Sequence, residues 1–217
     1  TYTPTTGYTG TDQFTITADN GIGGIATTVI DVVVNPTPTV TAPSSQSVCN
    51  GASTTDVIFS GTPGTVTYTW TNDNTSIGLA NSGTTDIMSF TGTNTTFVPA
   101  VATIMVTPTA DGCEGAVQTF SVTVNPTPDV NNPGDVTVCN NVMTTDINFT
   151  SSVGTTTYTW TNDNSSIGLA GTGTGNIAAF TATNTGLTAI SGVITVTPDA
   201  AGCTGTAQTF TVAVLPS

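Results

Sequence analysis

Apolar and polar residues alternate along much of this chain. In residues 65–71, Val66, Tyr68 and Trp70 fall on one face of an extended segment and threonines fall on the other. This period of two predicts strands that are buried on one side and solvated on the other. Clusters of turn-forming residues, such as 61–64 and 110–112, interrupt the pattern at short intervals. With no helical periodicity, the pattern predicts an all-β chain of Ig-like antiparallel β-sandwiches.

The pattern itself is repeated. A block of about ninety residues occurs twice in tandem, and the matching residues are offset by 90 positions: Cys49, Trp70, Phe90, Cys113 and Phe120 return as Cys139, Trp160, Phe180, Cys203 and Phe210. Tandem copies at a fixed period predict an elongated array of similar units.

Differences between the two copies predict which faces point inward. Val57 and Phe59 return as apolar residues, whereas Ile58 between them becomes Asn148. Met105 likewise becomes Thr195 between two conserved apolar neighbours. A position that tolerates both an apolar and a polar residue is expected to face solvent.

Proline-rich segments mark the expected domain boundaries. Val-Val-Val-Asn-Pro-Thr-Pro at 32–38 resembles Val-Thr-Val-Asn-Pro-Thr-Pro at 122–128, and both follow an alternating strand. Proline cannot continue a strand ladder and stiffens the backbone, so we expect rigid junctions there. The predicted domains are 39–128 and 129–217. Residues 1–38, with three predicted strands beginning at Thr1–Pro4, are expected to be the C-terminal part of another Ig-like or cadherin-like domain, plus a linker.

The charge composition restricts function. The chain has no Lys, Arg or His, and its 13 acidic residues give a net charge of −13. Nucleic acid and anionic membranes are bound through basic residues, so neither is an expected partner. No apolar run approaches the roughly 18 residues that cross a bilayer. Without a His or Lys base the usual catalytic arrangements are missing, and we predict that the protein is not an enzyme and needs no cofactor.

Four cysteines, two in each copy, predict disulfides and an oxidising compartment. Because similar repeats should fold alike, the favoured pairs are Cys49–Cys113 and Cys139–Cys203. A bridge between Cys113 and Cys139 across the linker, or four buried thiols, are the alternatives.

Several ordered motifs resemble a known family. They are Tyr-Thr-Trp-Thr-Asn-Asp-Asn-x-Ser-Ile-Gly-Leu-Ala, Ile-x-Val-Thr-Pro, Gly-Cys and x-Thr-Phe-x-Val-x-Val, and together they span residues 39–217. They are similar to the PKD-like repeats of large Bacteroidetes surface proteins, including gliding-motility adhesins exported by the type IX secretion system. Residues 8–24 resemble the end of a cadherin-like or bacterial Ig-like repeat. The resemblance implies a bacterial cell-surface location.

Two groups of candidate functional residues can also be explained by a purely structural role. Trp70 and Trp160 are predicted to anchor the core, although a Trp can also stack against a sugar. The Asn-Asp-Asn clusters around Asp73 and Asp163 offer oxygen ligands for calcium. Each cluster has only one carboxylate, however, and Asx turns explain the same residues, so no metal site is predicted.

The favoured functional hypothesis is a structural stalk segment of a secreted adhesin, contacting neighbouring repeats of the same long chain. Surface polysaccharide or other adhesin chains are further candidate partners. The alternatives are a polysaccharide-binding module and a noncatalytic accessory domain of a secreted glycoside hydrolase.

Overall fold

The computed structural model describes all residues from Thr1 to Ser217, and nearly all of its regular structure is strand. The strands are β1 (Gly10–Asp19), β2 (Ile25–Val34), β3 (Gln46–Cys49), β4 (Thr67–Asn72), β5 (Ser82–Gly83), β6 (Ala100–Ala110), β7 (Cys113–Glu114), β8 (Gln118–Asn125), β9 (Val136–Cys139), β10 (Thr157–Asn162), β11 (Thr172–Thr174), β12 (Ile190–Ala200), β13 (Cys203–Thr204) and β14 (Gln208–Leu215). Short 3-10 turns at Thr75–Ile77 and Ser165–Ile167 follow β4 and β10. The all-β prediction is confirmed.

The strands form three separate sheets. β1 and β2 make an antiparallel hairpin. Strands β3 to β8 form a six-stranded sheet in the order β3-β8-β6-β4-β5, with β7 paired to β6. Strands β9 to β14 form an equivalent sheet in the order β9-β14-β12-β10-β11, with β13 paired to β12. Below, repeat 1 denotes residues 39–128 and repeat 2 denotes residues 129–217.

The first and last strands of each repeat pair in parallel, which differs from the purely antiparallel prediction. β3 runs alongside β8, with Cys49 opposite Asn125, and β9 runs alongside β14 in the same way. A parallel pair requires a long crossover. The chain between β3 and β8 provides one, since it crosses to the opposite layer before returning. Alternation alone does not distinguish the two strand directions.

The opposite layer of each repeat is irregular. In repeat 1 it consists of residues 39–41, 52–62 and 85–93, joined by isolated bridges such as Val57 to Ile87. The hydrophobic core lies between this layer and the sheet. It contains Val40, Val57, Phe59, Trp70, Ile77, Leu79, Ile87, Ala102, Ile104, Val106, Phe120, Val122 and Val124. Repeat 2 has a corresponding core of thirteen residues.

The inward faces predicted by comparing the two copies are confirmed. Val57 and Phe59 are buried while Ile58 between them is 63% exposed. In β6, Ile104 and Val106 are fully buried, whereas Met105 is half exposed.

The N-terminal module has two strands, not the three predicted. Residues 1–4 are not a strand. Proline at position 4 has no N–H to donate to a ladder. Instead the Tyr2 ring stacks on Phe14 at a centroid distance of 6.0 Å, and its hydroxyl donates to Asp12 at 2.6 Å. This hydrogen bond is the main reason that the pKa of Tyr2 is raised to about 12.

Carboxylates in this structure bond to backbone N–H groups. The chain has no cationic side chain that could pair with them. Asp56 accepts from Ser89 N at 2.6 Å, and Asp73 accepts from Thr103 N at 2.7 Å. Repeat 2 has the same bonds from Ala179 N to Asp146 and from Val193 N to Asp163. Charge-assisted bonds of this type are stronger than neutral ones, and here they join segments of chain about thirty residues apart.

Each Trp packs across the sheet onto a glycine. Trp70 pairs with Gly83 and Trp160 with Gly173, and a β-carbon on either glycine would lie within 2.6 Å of the indole. The close approach of the indole explains why the strand residue at position 83 is a glycine.

The two indoles differ in hydrogen bonding. Trp70 Nε1 donates to the Thr85 carbonyl oxygen at 2.8 Å, whereas the buried Trp160 Nε1 has no partner. At the position equivalent to Thr85, repeat 2 has Gly175 with φ of +67°, and β11 is one residue longer than β5. The backbone near Gly175 therefore follows a different course from that near Thr85, and no carbonyl oxygen accepts from Trp160 Nε1.

Replacing each Trp by Phe should therefore have unequal effects. Trp70→Phe removes a buried hydrogen bond and leaves the Thr85 carbonyl unpaired, whereas Trp160→Phe removes an unpaired donor. We expect Trp70→Phe to lower the local stability by about 1–2 kcal/mol more than Trp160→Phe does. Hydrogen exchange of each repeat, measured by mass spectrometry, gives the two opening free energies. Equal losses in both repeats would contradict this assignment.

Candidate interface between the two repeats

Cys49 lies at the end of repeat 1 where the chain leaves it, which we call the trailing end. It is the last residue of β3, and its parallel partner Asn125 is the last residue of β8. Pro126 follows at once and is buried. The register of β3 on β8 therefore places the Cys49 thiol beside the linker to repeat 2.

Cys203 lies at the opposite, leading end of repeat 2, where the chain enters it. It pairs with Ala200 across the tight turn from β12 to β13. Two left-handed residues, Ala201 and Gly202, make this turn possible. β12 reaches the turn at the end of the sheet where β14 begins, because the two strands are antiparallel.

A disulfide joins these two ends. Cys49 and Cys203 are bonded, with their Cα atoms 5.6 Å apart, and Cys113 and Cys139 are free. The bridge therefore connects the trailing end of repeat 1 to the leading end of repeat 2.

This bridge corrects the predicted pairs Cys49–Cys113 and Cys139–Cys203. Within one repeat, the first-strand cysteine and the turn cysteine lie at opposite ends of the long strand, β6 in repeat 1. That strand has eleven residues, which at about 3.4 Å each separates the cysteines by roughly 30 Å. A disulfide requires Cα atoms within about 7 Å. The alternative Cys113–Cys139 pair is also wrong, because those residues lie at the two outer ends of the tandem.

A groove of about 240 Å³ runs along the junction beside the disulfide. Repeat 1 contributes its 97–99 loop and the linker, and repeat 2 contributes its two leading-end turns. The lining residues are Phe97, Val98, Pro99, Asn125, Pro126, Val153, Gly154, Thr155, Ala200 and Ala201. No backbone hydrogen bond joins the repeats. The linker, the disulfide and apolar packing therefore hold the junction.

Asn94 supports the repeat 1 side of the groove. Its buried side chain donates to the carbonyl oxygens of Val98 and Val124, both at 2.8 Å. These bonds fix the 97–99 loop onto the end of β8. Asn184 makes the equivalent bonds in repeat 2.

Asp129 supports the repeat 2 side. Its carboxylate accepts from Ser151 Oγ and Ser152 N, both at 2.7 Å, and so holds the turn that carries Val153 into the groove. These two hydrogen bonds lower the pKa of Asp129, and the bond from Ser151 has the larger effect. In repeat 1 the equivalent residue is the neutral Thr39, which hydrogen-bonds to the Thr62 hydroxyl at 2.9 Å.

The other candidate residues lie away from this junction. Trp70 and Trp160 are buried in the two cores. In the 72–74 cluster, Asn72 Oδ1 accepts from Asn74 N, Asp73 Oδ1 from Thr103 N, and Asn74 Oδ1 from Ser76 N. Repeat 2 has the same bonds around Asp163. This geometry is that of an Asx turn capping a 3-10 segment.

Asn94, Asp129 and the 97–99 loop were not among the residues selected from the sequence. Asn94 could have been found, since Asn184 preserves it at the 90-residue offset within a variable loop. Asp129 could not, because repeat 1 has a different residue there. The groove itself depends on how two domains meet, which no local pattern describes.

Comparison with known proteins places the fold. No family model and no curated protein matches the sequence. Among solved structures, the chain is similar to protocadherin gamma B7 EC3–6, with a TM-score of 0.50 and 14% identity over 95% of this chain and 60% of that one. Titin domains I67–I69 give a TM-score of 0.49 with 12% identity over 95% and 75%, and the two Ig domains of DIP-gamma give 0.46 with 11% identity over 83% and 98%. At 14% identity the likeness to the protocadherin fragment concerns the fold alone, which is that of tandem β-sandwich domains.

No helix of the structure has the length and apolar character needed to cross a membrane.

The disulfide assignment can be tested by alkylating the native chain. Iodoacetamide should label Cys113 and Cys139, with exposed Cys139 faster than half-buried Cys113, and leave Cys49 and Cys203 unlabelled until reduction. Because trypsin has no Lys or Arg to cleave after, pepsin peptides should be mapped without reduction. A peptide pair linking Cys49 to Cys113 would refute the assignment.

The Asp129 contact should make repeat 2 sensitive to acid. A carboxyl whose pKa is lowered by folding stabilises the fold fully above its unfolded value, near 4, and this contribution is lost as the pH falls through the lowered value. Asp129→Thr, which installs the residue of repeat 1, should therefore lower the urea midpoint at pH 7. Below about pH 3 the difference in urea midpoint between the variant and the native chain should shrink. A gap that stays constant with pH would contradict an ionic origin.

Proposed function

We propose that this chain is a load-bearing segment of an extracellular stalk, and that its function is mechanical. The supporting observation is the Cys49–Cys203 bond, which joins the trailing end of one β-sandwich to the leading end of the next. A bond at this position does not staple a single domain. It fixes two consecutive domains to each other in addition to their linker.

The bond changes the path of a pulling force. When the two chain ends are pulled apart, tension passes from Cys49 directly to Cys203, and residues 50–202 lie outside the loaded path. These residues include most of both cores, all except Val40 in repeat 1 and Phe210, Val212 and Val214 in repeat 2. Of the strands in the two repeats, only β3, β13 and β14 lie on the loaded path. The covalent bond therefore shields most of each sandwich from the load.

The surface composition suits a projecting segment. With a net charge of −13 and no cationic side chain, neighbouring stretches repel one another and have no opposite charge to pair with. This charge disfavours collapse of a long array onto itself. The disulfide also favours an oxidising, extracellular location.

The motif resemblance supports a more specific proposal. Residues 39–128 and 129–217 are two PKD-like repeats of a secreted bacterial surface adhesin of the Bacteroidetes type, with gliding motility or attachment as its role. Residues 1–38 are the end of a preceding Ig-like or cadherin-like domain. The hairpin β1–β2 supports this, since the apolar side chains of Phe14, Ile16 and Ile30 on one of its faces are 36–49% exposed. A two-stranded hairpin is marginal alone and normally packs within a larger sandwich.

Single-molecule force spectroscopy tests the mechanical proposal. The Cys49–Cys203 separation is 154 residues, which at about 3.5 Å per residue stores roughly 500 Å of extended chain. Pulled by its ends, the oxidised chain should not release this length. After reduction, two further unfolding events should appear, and together they should release it.

The matched control is the double variant Cys113→Ser, Cys139→Ser, which keeps the bond and should behave like the oxidised native chain. Cys49→Ser should behave like the reduced chain without any reductant. If the oxidised native chain unfolds to full length, the proposed force path is wrong.

A further inference from the structure

Repeat 2 has an unoccupied copy of the surface through which repeat 1 binds its neighbour. Cys139 is the last residue of β9 and occupies the position of Cys49, at the trailing end of its sheet. It pairs in parallel with Leu215, as Cys49 pairs with Asn125. Its thiol is free and exposed, whereas Cys49 is bonded and half-buried.

The residues around Cys139 also match the junction. Leu187 stands where Phe97 lines the groove, and it is 95% exposed, compared with 61% for Phe97. Leu215 is 40% exposed, while the equivalent Asn125 is 9% exposed beneath repeat 2. The trailing end of repeat 2 therefore presents apolar side chains around a thiol, in the arrangement that repeat 1 uses to hold its partner.

The complementary surface is present at the leading end of a repeat. In repeat 2, Val153 and Cys203 are 6% and 2% exposed where they meet repeat 1. Their equivalents in repeat 1, Pro63 and Cys113, are only half-buried. The turn cysteine thus exists in both copies, and it becomes fully buried only where a trailing-end cysteine bonds to it.

From this internal equivalence we infer that Cys139 is the bonding site for the turn cysteine of a further repeat of the same kind, seated on Leu187 and Leu215. The two thiols lose two protons and two electrons to a disulfide oxidant such as oxidised glutathione, which leaves as two molecules of reduced thiol. The inference concerns how repeats are joined and does not depend on what the stalk carries.

The resulting array has an unusual covalent connectivity. Each bond links the first-strand cysteine of one repeat to the turn cysteine of the next. The turn cysteine of one repeat and the first-strand cysteine of the next repeat are 26 residues apart in sequence, as Cys113 and Cys139 are. One disulfide and this 26-residue segment together form a continuous covalent path across two repeats. The segment is about 90 Å long when fully extended. Two folded repeats, judged from their longest strands, already span roughly 70 Å. A fully oxidised array would consequently lengthen by no more than about a third under load.

The inference is tested by extending the chain. A copy of residues 128–217 is joined after Ser217, which matches Thr127 in the repeat frame, and the protein is oxidised with a glutathione buffer. Peptide mapping should then show Cys139 linked to the turn cysteine of the added repeat. Iodoacetamide labelling of Cys139 should fall at least about tenfold relative to the 217-residue chain, and the Cys49–Cys203 bond should remain.

Two controls make the result decisive. The same extension with Cys203→Ser in the added copy should restore full labelling of Cys139. An extension with residues 38–127, whose turn cysteine is a copy of Cys113, should protect Cys139 as the first extension does, which guards against misfolding of one added sequence. If Cys139 stays labelled in both extended chains, or bonds to Cys139 of a second molecule in a disulfide-linked dimer, the inference is overturned. Neither of these outcomes would alter the force path through Cys49–Cys203.

Discussion

The parallel pairing of the first and last strands is the constraint on which the arrangement of this molecule depends. Because β3 runs alongside β8, both strands end together, and Cys49 is carried to the point where the chain leaves repeat 1. Had β3 paired in the antiparallel sense, its last residue would lie at the leading end, close to the turn that holds Cys113. A bond within the repeat would then have been within reach. Strand direction thus decides whether the cysteines staple a domain or join two domains.

A second constraint is the absence of cationic side chains. A chain without cationic side chains cannot use side-chain salt bridges to hold its loops, and its carboxylates accept from backbone N–H groups and hydroxyls instead. Asp129 shows how this affects the junction, since its bonds to Ser151 and Ser152 hold the turn that lines the groove. The equivalent Thr39 achieves a similar contact in repeat 1 without charge. The two leading ends therefore have similar shapes but respond differently to pH.

The sequence predicted local structure well and the relations between domains poorly. Alternation located β4, β6 and β8. The substitutions at Met105 and Ile58 identified the solvent faces of β6 and of the 52–62 segment in the opposite layer, because side-chain direction in extended chain follows from sequence position alone. The disulfide prediction was wrong because it treated each repeat as a closed unit. Two repeats that fold alike place their cysteines at equivalent positions. A cysteine and the cysteine that it bonds to need not lie in the same repeat. The spacing of the cysteines did not reveal this, since whether Cys49 and Cys113 can meet depends on the direction of β3, and alternation does not give strand direction.

A disulfide between repeats and a disulfide within a repeat have different effects on the protein. In the chain-entropy description, a loop of this length stabilises the folded pair by about 5 kcal/mol, only slightly more than a shorter loop inside one repeat would. Thermodynamic stability is therefore a weak reason for the longer connection. Geometry is a stronger one, because an internal staple leaves the linker at Pro126 as the sole connection between domains. A second connection beside Pro126 restricts bending and twisting about that linker. The junction groove is shallow and has no backbone hydrogen bonds across it, so the covalent bond supplies the rigidity that the packing alone would not.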